Sequence, residues 1–327
     1  MAPHAVTPCG LLPSIATAMT IVLAGGSGFL GRALKQHFAQ AGHSARILTR
    51  RTPTHPDEIQ WQPDGTTGPW AAALADADVI VNLAGEGLAD RRWTADRKAA
   101  LQSSRILPPR SLAAALAEQP ARARLVIACS AVGYYGARDE EPVTEEDGPG
   151  DDFLSRLCVD WEHEAATAAS DTTDVAIVRS GIVLHPDGGA LKPMLLPFRM
   201  GVGGRLGSGR QYWSWIHVHD WMALVSWIAS RLTGPVAPVS PGPEREPVTV
   251  WNATAPTPVT NAEFSRVLGR VLRRPAVLPA PAFALRLALG EFAMFLTTGA
   301  RVLPEHAERE GFRFRFPALE AALRDLL

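Results

Sequence analysis

A doubly wound α/β fold on a parallel sheet is what this sequence predicts, from three observations. Strand-like runs recur at Thr20 to Ala24, Ser44 to Thr49, Ala77 to Gly85, Arg124 to Ser130 and Val175 to Ile182. Helical periodicity appears between them, most clearly over Phe29 to Gln40. The first run ends directly in Gly25-Gly26-Ser27-Gly28-Phe29-Leu30-Gly31, so strand, glycine turn and helix follow one another. Alternating strands and helices predict a parallel sheet with helices on its faces, and ligands in such sheets lie beyond the carboxyl ends of the strands. Those ends fall at Gly25, Arg50, Ala84 and Ser130.

The glycine turn comes first along the chain. Its spacing at Gly25, Gly28 and Gly31 fits a tight turn, close approach of a pyrophosphate and close packing of helix on strand. The helix N-terminus then offers backbone N–H groups to the phosphates. Glycine turns also occur as plain loops, but the strand before and the helix after argue for a dinucleotide. The second strand ends Leu48-Thr49-Arg50-Arg51, where an NAD-binding protein usually carries an acidic residue for the ribose 2′-hydroxyl. Arginine there suits a 2′-phosphate, so NADP(H) is preferred over NAD(H), with Arg50 as first candidate, Arg51 as second and solvated loop charges as the bland alternative.

Later elements define a second region. A helix from about Phe153 to Ala169 precedes the strand at Val175. Beyond it the composition shifts toward Gly, Pro and Trp, with loops at Gly201 to Gly209 and Pro235 to Pro247, the second reading as an exposed insertion. Helices are expected at Asn261 to Leu272 and Pro281 to Leu296. The predicted division is a disordered extension at 1–18, or sequence upstream of a start at Met19, then a nucleotide-binding domain at 19–182. Residues 183–327 form mainly a smaller C-terminal α/β substrate lobe and helical region, with a return to the main sheet left open.

Composition narrows the partners. The 327 residues carry 32 basic and 33 acidic side chains, so no global field draws nucleic acid or an anionic membrane, although a local patch stays open. A small-molecule substrate is expected, neither nucleic acid nor membrane is, and a homodimer is left open. Cys9, Cys129 and Cys158 have neither zinc nor disulfide spacing, which fits a reducing cytoplasm. His217 and His219 lack neighbouring ligands, so no metal site is expected. The first 18 residues lack a basic n-region and a long apolar core, making a poor secretory signal. The apolar stretch from Ala282 to Leu296 is interrupted by Arg286 and Glu291 and is too short to span a bilayer.

Taken together, GGSGFLG at 25–31, Asn82-Leu83-Ala84-Gly85-Glu86, Arg91-Arg92-Trp93, Ser104-Arg105, Ser130-Ala131-Val132-Gly133-Tyr134-Tyr135-Gly136, Trp161-Glu162, Arg179-Ser180-Gly181, Trp215-Ile216-His217 and Gly311-Phe312 carry a resemblance. The chain resembles the extended or atypical short-chain dehydrogenase/reductases, the NAD-dependent epimerase/dehydratase superfamily, and within it the subfamily labelled "epimerase family protein", which carries a C-terminal domain of unknown function. The resemblance implies a Rossmann-type sheet. It also implies a cofactor set of Gly25, Ser27, Gly28, Phe29, Leu30, Gly31, Thr49, Arg50, Asn82, Leu83, Ala84, Gly85 and Glu86. Leu83 and Ala84 would lie near the adenosine, and Ser180, Gly181 and Ile182 near the nicotinamide. Arg105 would point back into the site, a surface ion pair being the alternative.

Active relatives use Tyr-x-x-x-Lys on one helix, the lysine lowering the tyrosine pKa. Alignment on Glu162 puts Leu154 and Cys158 in those places, so the usual pair is missing. Tyr134 or Tyr135 could supply a phenol and Ser130 a hydroxyl, with aromatic packing the alternative for the tyrosines and Ala131 a rival for the serine place. Cys158 reads as a core cysteine rather than a nucleophile. His217 and Asp220 read as ties between the two regions, and Gln211 as a pocket-wall candidate. The expected function is an NADP(H)-dependent oxidoreductase or nucleotide-sugar epimerase-like enzyme of unassigned substrate. The alternative is a catalytically impaired NADP(H)-binding regulator or redox sensor, some relatives being labelled cell-division inhibitors.

Overall fold

Residues 18–118, 122–138, 140–233 and 246–327 are described in this computed structural model. Residues 1–17 of the expected extension and residues 235–245 of the expected insertion lie outside them. Strand β1 (Thr20–Ala24) leads through the glycine turn into α1 (Phe29–Gln40), then β2 (Ser44–Thr49), β3 (Glu58–Gln60) and β4 (Val79–Asn82). Helix α2 (Ala95–Glu118), β5 (Leu125–Ala131), β6 (Pro142–Val143), α3 (Phe153–Ala166) and β7 (Asp174–Ser180) follow. Next come β8 (Ile182–Leu184), α4 (Leu191–Arg199), β9 (Tyr212–Trp213), β10 (Trp215–His217), α5 (Val218–Thr233) and β11 (Val248–Ala253). The chain closes with β12 (Val259–Thr260), α6 (Asn261–Leu272), α7 (Ala282–Leu289), α8 (Ala293–Thr297), β13 (Arg301–Val302), α9 (Glu305–Arg309) and α10 (Leu319–Leu326).

Seven parallel strands form the main sheet in the order β11-β7-β5-β4-β1-β2-β3. The strands are apolar on both faces because both faces are covered. Ile21, Leu23, Val79, Val81, Leu125 and Ile127 meet Leu34 and Phe38 of α1 and Trp221, Leu224 and Ile228 of α5. The intervening Val22, Ala24, Ile80 and Val126 meet Trp70, Leu74, Leu112 and Ala115 on the other face. This is the two-residue period of a strand read against two helical layers. Burial of each large side chain stabilises the fold by roughly 1.5–3 kcal/mol.

A second core joins α4, α6 and α10 through Leu195, Phe198, Phe264, Leu268, Leu319 and Leu323, with Trp213 and Trp215 between them. The end of the chain is stitched into both regions. Ser214 Oγ donates to Ala300 O at 2.8 Å and accepts from Val302 N at 2.9 Å. Asp220 accepts from Arg315 N and Phe316 N at 3.0 and 2.8 Å. Glu145 accepts from the backbone N–H groups of Asn252 and His306 at 2.8 and 3.2 Å, and the His306 ring stacks on Trp251 at 3.8 Å.

Two of the expected elements are interrupted in the structure. The run from Val175 to Ile182 divides at Gly181: β7 stays in the main sheet, while β8 pairs with β10. The Gly181 backbone lies so close to Ser214 that an added Cβ would stand 2.4 Å from its carbonyl oxygen. The single helix expected at Pro281 to Leu296 is broken by a 3₁₀ turn at Gly290–Phe292.

Candidate functional site

The strand order reverses at β1. Chain order runs outward from β1 through β2 to β3, then returns to the other side of β1 for β4. Such a switch point opens a crevice at the carboxyl ends of the strands. A cleft of about 1080 Å³ lies there, lined by Gly25, Ser27 and Gly28 after β1, Thr49 at the end of β2 with Arg50 and Arg51 after it, and Leu83, Ala84, Gly85 and Glu86 after β4.

The glycine turn shapes one wall. Gly25 has φ +75°, and an added Cβ would stand 2.8 Å from the Ala84 backbone. At Gly31 an added Cβ would fall 2.4 Å from Gly26 Cα, so α1 packs this closely on the turn only with glycine there. Gly28 caps α1 with no side-chain hydrogen bond, and the first turn carries no acidic residue. Its N–H groups therefore meet an anion unopposed. Thr49 Oγ1 donates to Ser27 Oγ at 3.4 Å, tying the end of β2 to the turn.

Helix α2 holds the opposite wall. Glu86 N donates to Ser104 Oγ at 3.2 Å, Arg105 donates to Glu86 O at 3.0 Å, and Arg97 pairs with the Glu86 carboxylate. Arg105 thus braces the 85–87 loop from behind instead of entering the cleft, and burial lowers its pKa.

Other cofactor candidates also stand away from the cleft wall. Phe29 packs on His185 at 5.1 Å, Leu30 packs against the core and Gly31 meets Gly26. Asn82 is fully buried, its Oδ1 accepting from Ala84 N at 3.1 Å. Ser180 Oγ accepts from Trp221 Nε1 at 3.0 Å, Gly181 lies against Ser214, and Ile182 begins β8. These residues shape the turn and the strand ends from beneath. The cleft also draws in Gln62 and Asp64 after β3 and Ser103, Ser104, Leu107 and Pro108 of α2. Ser104 was visible in the sequence as part of Ser104-Arg105; the rest carried no local signal.

The candidate catalytic residues belong to a different arrangement. Ser130, Arg179 and Asn252 are register neighbours on β5, β7 and β11. Ser130 Oγ donates to Glu162 Oε1 at 2.6 Å, and Arg179 clasps the Glu162 carboxylate with two bonds of 3.0 and 2.8 Å. Arg179 also donates to the Tyr135 hydroxyl at 2.9 Å, which donates to Asn252 Oδ1 at 2.8 Å. Burial opposes the Arg179 charge, but the Glu162 carboxylate outweighs it and its pKa is raised. Burial pushes the Tyr135 phenol up to about 12, with Arg179 pulling the other way.

The Ser130 and Tyr135 hydroxyls are thus both engaged within this network, and neither residue lines the cleft. Tyr134 is half-buried, its ring 3.4 Å from the Arg179 guanidinium carbon. On α3, Leu154 and Cys158 are buried against Gly133, and burial raises the Cys158 thiol to about 12, which makes it a core thiol. His217 stacks on Phe316 at 4.0 Å, and Gln211 donates to Leu206 O and Leu296 O at 3.1 and 2.8 Å. With Asp220, they tie segments of the chain together.

Comparison with known proteins follows this geometry. The model of the NAD dependent epimerase/dehydratase family matches residues 21–238, and that of a domain of unknown function (DUF1731) matches residues 280–326. An epimerase family protein of Mycobacterium bovis is 40% identical over 307 residues, covering 93% of this chain and 96% of its own length. Epimerase family protein SDR39U1 of Bos taurus is 36% identical over 316 residues, covering 94% and 100%. The crystal structure of human SDR39U1 with NADPH superposes with a TM-score of 0.83 at 33% identity, covering 94% of this chain and 99% of that one.

Proposed function

The chain belongs to the NAD-dependent epimerase/dehydratase family, and from that premise we propose that it is an NADP(H)-dependent enzyme of oxidoreductase or nucleotide-sugar epimerase type. The observation that carries the reading is the pair Arg50 and Arg51 in the cleft wall where β2 ends. A guanidinium there offers a 2′-phosphate charge-assisted hydrogen bonds, and neither position supplies the carboxylate that would hold a 2′-hydroxyl. The first turn of α1, which lacks a side-chain cap, and the glycine cradle fit a pyrophosphate, and a relative 33% identical was solved with NADPH.

A bound nicotinamide supplies a hydride donor or acceptor for a small carbonyl or alcohol. The protein's share is placement: Ser27 and Gly28 would border the phosphates, Arg50 would hold the far ribose, and Leu83 and Ala84 would flank the adenosine. Tyr134 is the tyrosine of the 134–135 pair whose hydroxyl makes no hydrogen bond among the described residues, which leaves it as the phenol for proton exchange. Titrating the protein with NADPH and NADH tests the cofactor, and NADPH oxidation with a carbonyl panel tests turnover. Equal affinity for both cofactors in wild type and Arg50→Ala alike would remove the NADP(H) assignment.

A second reading rests on the apolar pair Leu154 and Cys158 in the usual tyrosine and lysine places. With both buried, the chain would act as an NADP(H)-binding sensor without turnover. Tight NADPH binding with no oxidation across the panel supports this reading; turnover excludes it.

A further inference from the structure

Seven of the nine large apolar side chains that stand exposed among the described residues lie between residues 196 and 287. Leu196 of α4 and Met200, its C-cap in helical conformation, are four apart, and Phe283 and Leu287 are four apart on α7, so each pair shares one helix face. Phe283 is 75% and Leu287 77% exposed, and α7 buries none of its eight residues. The two helices belong to one surface because their neighbouring segments run side by side. Gly207 N donates to Ala280 O, Ala280 N donates to Arg205 O, both at 2.9 Å, and Arg274 Nε donates to Arg199 O at 3.0 Å. Val277 and Leu278, both exposed, fill the interval.

Charge on this surface is one-sided. Residues 188–219 and 264–290 contain no Asp or Glu, yet hold Lys192, Arg199, Arg205, Arg273, Arg274 and Arg286, all exposed. Among the described residues, Arg266 and Arg270 of the same stretches pair with acids, Glu263 and Glu320. The balanced charge of the whole chain therefore conceals a basic apolar face.

We propose that this face docks on an anionic lipid surface, with Phe283, Leu287, Leu196 and Met200 entering the headgroup boundary and the arginines meeting lipid phosphates. Large apolar side chains ringed by Lys and Arg match the chemistry of an interfacial helix. A second copy of the chain fits less well, because a two-fold contact would set two predominantly basic rims against each other, Glu263 and Glu320 being already paired with Arg266 and Arg270. The expectation of no membrane partner rested on overall charge and on the lack of a spanning segment. Neither bears on a surface that lies in the plane of the interface.

The full chain is mixed with sucrose-loaded vesicles of phosphatidylcholine alone or enriched in phosphatidylserine, then sedimented. Binding to the serine-containing vesicles should exceed that to phosphatidylcholine by about tenfold or more and fall at high salt. Phe283→Ser with Leu287→Ser, and separately Arg273→Glu with Arg274→Glu, should each reduce it by about tenfold or more. Circular dichroism and a wild-type denaturation midpoint verify that the variants are folded. Failure to sediment with anionic vesicles, or folded variants that sediment like wild type, overturns the proposal. So does a dimer in light scattering that Phe283→Ser with Leu287→Ser dissociates, which gives the face to self-association. Binding to an acidic peptide without vesicle binding gives it to an acidic protein and equally overturns the lipid assignment.

Discussion

Where β1, β2 and β4 end, polar and charged groups face an open cleft; where β5, β7 and β11 end, in the other half of the same sheet, they face one another. Arg50 stands in a cleft wall and forms no ion pair with a carboxylate among the described residues, and the first turn of α1 has no side-chain cap. Arg179 has two bonds to Glu162 and one to Tyr135, all buried. A ligand site keeps its donors available for a group still to arrive, whereas a structural network satisfies them internally. Beside that network, Leu154 and Cys158 of α3 pack against Gly133, so this half of the sheet end is filled by packing and paired charge.

Substitution can break each half separately. The largest effect is expected at Glu162→Ala, which leaves Arg179 buried without its carboxylate. Urea denaturation should show a loss of about 3–5 kcal/mol, while the double variant Glu162→Ala with Arg179→Met loses less than the single one. A single variant as stable as wild type would mean that the network is not structural. Next comes Arg50→Ala. Calorimetry should show a loss of about 1.5–3 kcal/mol in NADPH affinity, with NADH affinity and stability nearly unchanged.

Smaller changes sharpen the same contrast. Tyr135→Phe removes a donor to Asn252 and an acceptor for Arg179, so stability should fall by about 1–2 kcal/mol. Tyr134→Phe keeps the ring beneath Arg179 and should leave stability alone while slowing any NADPH oxidation. A Tyr135→Phe protein of wild-type stability would argue against its place in the network. The smallest effect concerns pH. Burial holds the His217 imidazole below its ordinary value near 6.5, with Asp325 and Asp220 pulling upward without prevailing. The folded state thus favours neutral His217, and its contribution is present above that ordinary value and lost as pH falls toward the lowered folded one. Tm should drop between about pH 8 and about pH 5.5, and His217→Gln should shrink the drop. Some slope should remain, because His37 and His43 are shifted the same way by burial.

Legibility in the sequence followed the range of the interaction. β1, the glycine turn, α1 and β2 have the bounds read from sequence because their signals are local: apolar runs, glycine spacing and helical periodicity. Strand β3 is three residues at the sheet edge and carries no alternation to detect. Gln62 and Ser103 belong to one cleft only because β3 and α2 meet across it. Glu162 and Arg179 were each conspicuous, in Trp161-Glu162 and Arg179-Ser180, but their pairing depends on α3 lying over β5 and β7. The break at Gly290 was hidden because the apolar residues on both sides continue a helical pattern.

The stitching of the chain's end into the sheet bears on the order in which the protein can be completed during synthesis. β11 occupies a sheet edge, yet the Asn252 side-chain amide donates to Leu303 O at 2.9 Å, and Trp251 has the His306 ring for its cover. A nascent chain that has emerged only to residue 300 possesses every strand of the seven-stranded sheet but lacks these partners. The last segment, although matched by a separate family model from residue 280 onward, thus supplies partners to the edge strand of the first region, and a nascent chain that stops short of residue 306 is expected to be less stable to urea and more readily proteolysed than the full chain.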